Sequence, residues 1–147
     1  MTTPLVPLEV VVDAVCQHLH DSKVGYWPGS TGTYPKTPSQ PPIYVKRLPS
    51  APVAAYAVTA YNLELDAYDP RKQTVRIQIR SRNPFDADQL ADRAVQAMHA
   101  VHHQTWGPVT IHRCKHLYAA QLGADPATRL DERTDNYELE VTNAKQQ

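Results

Sequence analysis

The chain has little glycine, little cysteine and no excess of either charge, and each shortage removes a class of function. Five glycines scattered over 147 residues cannot supply the glycine-rich loop that cradles a phosphate, a nucleophile elbow or a kinase signature. Two cysteines, Cys16 and Cys114, stand in different expected elements, without the paired spacing of a zinc site or a disulfide framework. They are read as buried thiols, and a bond between them in the fold stays open. Lys and Arg number 15, as do Asp and Glu, so with neutral histidines there is no long-range pull towards nucleic acid or an anionic membrane. No apolar run is long enough to span a bilayer, and the N-terminus lacks the basic region and apolar core of a signal peptide. The expectation is a soluble chain made in the cytoplasm, with no membrane partner, folding as one domain over 1–147.

Proline is what the chain has instead. Seven of its 13 prolines fall in "GYWPGSTGTYPKTPSQPPIYVKRLPSAP", where missing amide donors and fixed φ angles forbid a helix or a central strand. Residues 23–52 are read as an extended arm or loop, with room for a short edge strand at 43–46. Such a segment loses little conformational freedom on docking. Tyr34 and Tyr44 are its candidate contact residues.

Around the arm the hydrophobic spacing is regular. Leu8, Val11, Val12, Val15, Cys16 and Leu19 share one face of a helix over 7–22, with Pro7 in its first turn, Glu9 and Asp13 near its positive end and Gly25 as its stop. Strands are expected over 53–61 and 73–82. In the second, Val75, Ile77 and Ile79 alternate with Arg76, Gln78 and Arg80, so one face of the sheet is buried. A second helix starts at "NPFDADQLADRAVQAMHAVHH", where Asp86 and Gln89 have the spacing of a capping box and Leu90, Ala94, Met98 and Val101 form the packing stripe. Strands over 109–118 and 136–142 follow, and 143–147 is read as a flexible tail. The fold class is α+β: an antiparallel or mixed sheet of about four strands with both helices on one face.

Two constellations stand out. His99 and His103 are four apart on the expected helix, and His112 and His116 flank Cys114 on a strand, so a metal-dependent hydrolase is geometrically conceivable. The helical pair lacks the glutamate of metalloprotease helices, however, and no acidic cluster stands near the strand histidines to support a ligand set. The reading is therefore no enzyme, no metal and no cofactor. The second constellation is charge. Arg76, Arg80 and Arg82 make a basic ridge, while a loop running from Arg129 through Asp131, Glu132, Arg133 and Asp135 leads into a strand exposing Glu138 and Glu140. Neutralisation within one subunit, and complementation between subunits around a ring, are both open.

The stretches "TVRIQIRSRNPFDADQLADRAVQAMHAVHH" and "VTIHRCKHLYAAQLGADPATRLDERTDNYELEV" resemble the tail terminator (minor capsid) family of long-tailed bacteriophages, particularly those of actinobacteria. The matching blocks are 75–82, 86–95 and 122–137, and the resemblance extends more weakly to the opening helix and to "RLPSAPVAAYAVTAY". It implies a structural virion protein of the neck, assembled in the host cytoplasm. Such a subunit forms a ring, usually hexameric, on the tail tube, ends tube growth and joins the head-completion or stopper protein. DNA passes through its channel without sequence-specific binding. On this resemblance the basic ridge and the 129–137 segment take part in contacts between subunits or with the neighbouring ring. Another head-tail connector component, a stopper or adaptor, is the nearest alternative.

Overall fold

A computed structural model describes residues 5–69 and 71–144. Eight elements follow one another: α1 (Leu8–Asp21), β1 (Ile43–Val45), β2 (Ala55–Leu65), β3 (Gln73–Pro84), α2 (Asp88–Met98), β4 (Gln104–Trp106), β5 (Val109–Ala124) and β6 (Leu130–Asn143). The strands form one sheet in the order β1-β2-β3-β6-β5-β4, parallel only between β1 and β2. The expectation of about four strands is thus corrected to six. Of the two added strands, three residues each, β1 lies where a short edge strand had room at 43–46, and β4 is too short to carry a readable alternation.

Both helices lie on one face, as the apolar spacing requires. Val11, Val15, Cys16 and Leu19 of α1 and Leu90, Ala94 and Met98 of α2 share a core with Val75, Ile77 and Ile79 of β3 and Tyr137, Leu139 and Val141 of β6. Each strand sends alternate side chains into that layer. Register places Val75 opposite Leu139 and Ile77 opposite Tyr137, so the apolar rows coincide across the sheet centre. The two helices also touch directly, with the His18 Nε2 2.9 Å from the Ala97 carbonyl.

Helix ends depart from the sequence reading in three places. Lys23, at φ 62°, ends α1, while the Val24 amide donates to the Leu19 carbonyl and the Lys23 amide to His20. That paired pattern closes a helix through a left-handed residue. Gly25 is needed for a different reason. A Cβ there would lie 2.6 Å from Ile43 Cγ1, so glycine lets the arm cross the sheet edge closely. At α2 no capping box forms. The Asp86 carboxylate accepts from the Asp88 amide, and the Ala87 amide is satisfied from across the sheet by Asp131, at 2.7 Å. Finally, α2 stops at Met98; His99 is extended and Ala100 takes φ 64°. The chain then runs onto the edge of β5, with the Ala100 amide donating to Cys114 and the Cys114 amide to Val101.

The late charged segment is the largest correction. Residues 130–135, read as loop, are the first half of β6, paired with β3 on one side and β5 on the other. Only 125–129 turns the β5–β6 hairpin. Asn143, in the segment read as a flexible tail, closes β6, and 145–147 lie outside the described residues.

Candidate functional site

Alternation sorts the charges of β6 onto two faces with two fates. Asp131, Arg133 and Asp135 point to the helix layer; Glu132, Glu138 and Glu140 point to the open face. Arg133, expected in an exposed loop, is buried, as is Asp135 at 1% exposure. The Arg133 guanidinium grips Asp135 with two hydrogen bonds of 2.9 and 2.7 Å and reaches Asp88 at 3.0 Å and Asp92 at 2.9 Å on α2. His116 Nε2 lies 2.8 Å from Asp135 Oδ2, the oxygen that also accepts from Arg133 Nη2, so an acidic partner does stand beside a strand histidine. Bidentate arginine is the side chain suited to such a buried fork. These contacts staple α2 to β6 inside one chain. Of the charges in the 129–135 segment, Asp131, Arg133 and Asp135 are thus engaged on the helix side of the sheet.

Asp88 belongs to the same staple. Its carboxyl is held below the usual carboxylate range, first by the Gln121 amide and then by Arg133. A depressed folded pKa adds stability that is complete above the unfolded value and lost as pH falls through the folded one. The stability gap between the wild type and Asp88→Asn, read from urea midpoints, is expected to shrink between about pH 5 and pH 3. A gap constant over that range would remove Asp88 from the staple.

The basic ridge divides as well. Arg76 and Arg80 meet Glu138 at 3.6 Å and Glu132 at 2.7 Å across the β3–β6 pairing. Arg113 adds a contact to Glu138 at 3.9 Å and Lys72 one to Glu140 at 3.9 Å. Neutralisation within one chain is thus realised, and such half-exposed pairs contribute only about 0–1 kcal/mol each. Arg82 was expected on the exposed face but is buried. It donates to the carbonyls of Pro49, Pro52 and Val53, tying the end of the arm to β3.

The arm folds back on the chain. The Tyr26 amide donates to Pro41 and the Ile43 amide to Tyr26, which brings β1 against β2 as the expected edge strand. The Tyr34 hydroxyl donates to the Ile43 carbonyl, and its ring lies 4.7 Å from that of Tyr44, centroid to centroid. Trp27, missed in the sequence reading, anchors the other end. Its indole N–H donates to Asp13 Oδ1 at 3.0 Å and its backbone N–H to His20 Nδ1 at 3.1 Å. Between arm and α1 runs a groove of about 540 Å³, lined by Leu8, Val12, Trp27, Tyr34, Val45 and Ala60 with Glu9 and Asp13 beside them.

The rings of His102, His103 and His112 stand edge to face, with centroids 5.6 and 6.1 Å apart, but the histidines do not form the expected ligand set. Because α2 ends before His99, the four-residue helical spacing with His103 does not exist. His99 Nδ1 accepts the His116 amide, and His112 Nε2 bonds the Thr142 hydroxyl at 2.8 Å. Among the described residues no group of three His, Cys, Asp or Glu side chains is placed to hold a metal ion. Both cysteines are free and buried. Burial pushes the Cys114 thiol up to about 12, and burial reinforced by the Asp13 charge raises Cys16 further. Since the thiolate is the reactive form, neither is expected to react with an aromatic disulfide reagent in the native state, and both should react in urea. One fast-reacting thiol in buffer would contradict this burial.

The buried charges fix a helix to the sheet, the open face is charge-balanced, and a groove runs between α1 and the arm. Residues 18–143 match the family described as bacteriophage tail terminator protein. The chain belongs to that family, a family of structural proteins of the bacteriophage virion. No curated protein matches it. Among solved structures, a chain of "Virion of native gene transfer agent (GTA) particle" superposes with TM-score 0.49 at 14% identity, covering 69% of this chain and 78% of that one. That likeness is too slight to carry function across. No helix among the described residues is long and apolar enough to cross a membrane.

Proposed function

We propose that the chain forms a ring, hexameric in the finished neck, that caps the tail tube, stops its growth and presents the joint to the head-completion or stopper protein. Family membership over 18–143 carries this reading. The open sheet face supports it: paired charges such as Arg76–Glu138 and Arg80–Glu132 present little net field. A surface that lets DNA pass has to avoid collecting phosphates through counterion release, and a balanced face does so.

Asp131, Arg133, Asp135 and Arg82 are committed within the chain, whereas Arg129 and Tyr34 are exposed. Tyr34→Ser with Tyr44→Ser tests the arm as a contact, and it also loosens the arm's own packing. Tube growth tests the role itself. Purified tail tube protein of the same phage, grown with this chain, should give tubes shortened and closed at one end by a ring in electron micrographs. Tubes of unchanged length with bare ends would refute a terminating role. A ring seen only on the head side of the connector would favour the stopper or adaptor alternative.

A further inference from the structure

Two separate features offer surface beyond the core. One is the groove between α1 and the arm, apolar along Leu8, Val12, Trp27 and Val45 and bordered by Glu9 and Asp13. The other is a corner where β3 ends and β6 begins. There Phe85, the chain's only phenylalanine, is 69% exposed at φ 69°. A bulky side chain at positive φ is a true outlier. Its partner in the turn, Arg129, takes φ 60°, accepts the Phe85 amide on its carbonyl at 2.9 Å and carries its guanidinium 5.8 Å from the Phe85 ring centroid. Strain retained at an exposed aromatic, where no core packing repays it, points to a contact outside the chain.

The corner cannot reach its own groove. Ala60 in the groove pairs with Ile77, and Phe85 lies beyond the far end of β3, roughly 25 Å away at the usual rise per residue. The two surfaces are nevertheless complementary: an apolar ring with a cation against an apolar trough in which the carboxylates of Glu9 and Asp13 outnumber the one cation, Lys46. Asp13 spends Oδ1 on the Trp27 indole, and a carboxylate has further acceptor capacity.

We propose that the Phe85 corner of one copy seats in the α1–arm groove of the next, with Arg129 beside Glu9 and Asp13. Two different surfaces then meet at each joint. Such a heterologous contact closes into a ring when its rotation allows, with buried aromatic and arginine anchors at its centre. The inference rests on the ring reading above and names the joint that makes the ring.

The test combines three variants with tail tube protein of the same phage, read by light scattering and by crosslinking. Phe85→Gly removes the side chain and suits the left-handed backbone, so its melting temperature should match or exceed that of the wild type. Its half-assembly concentration should rise tenfold or more. Arg129→Glu should weaken assembly, and Glu9→Arg in the same chain should restore much of it. A photoreactive phenylalanine at 85 should crosslink to a peptide of α1 or the arm in another copy. If the wild type assembles and Phe85→Gly assembles equally well, the joint lies elsewhere and the ring reading stands. If the wild type never assembles, the ring reading fails and takes this joint with it.

Discussion

Arg133→Ala is expected to cost about 3–5 kcal/mol, the usual effect of removing one partner from a buried ion pair. The reason is what stays behind. Asp135, 1% exposed, loses both guanidinium hydrogen bonds and keeps only His116. The α2 carboxylates of Asp88 and Asp92 lose their tether to β6 as well. Urea unfolding measures this directly, and a loss under about 1 kcal/mol would mean the fork is ornamental, like the exposed pairs on the other face. A second variant separates the bond from the burden. Arg133→Met with Asp135→Leu removes both buried charges, and apolar replacements of this kind are often neutral or stabilising. The double variant should therefore recover most of the loss.

Trp27→Ala should be nearly as damaging, at about 3–5 kcal/mol for a buried large aromatic. The indole is 6% exposed and joins the core beside α1, and it also holds the arm through Asp13 and His20. Its loss opens one wall of the α1–arm groove. Two readouts follow from the two roles: a lower urea midpoint, and faster tryptic cleavage at Lys46 within the arm. A stable variant with an arm cut no faster than the wild type would show that Pro41, Ile43 and Arg82 hold the arm without Trp27.

The elements legible in the sequence were those with an uncomplicated period. Val75, Ile77 and Ile79 alternate with polar residues on β3, and α1 shows its apolar face at helical spacing, so the helix layer and sheet centre follow directly. The first half of β6 hid because both of its faces are polar. Arg133 and Asp135 point inward yet carry charge, and only α2, distant in sequence, supplies the carboxylates and packing that permit it. The alternation rule reads apolar against polar and is blind to a buried ion pair. The end of α2 was missed for a related reason: His99 to His103 continue a helical composition, but the backbone groups of Ala100 and Val101 are drawn to Cys114 of β5. Arg82 looked like the last of three exposed arginines until the arm folded back and offered it three carbonyls. Family motifs over 75–137 survived these errors because they depend on the order of residues and not on where each side chain points.

The mass of the purified chain, measured by light scattering alone and then with tail tube protein of the same phage, tests the terminator reading most directly. A ring-sized species in solution, or a monomer that becomes a ring only on tube ends, is the predicted result. A monomer that ignores tubes at every concentration would contradict it.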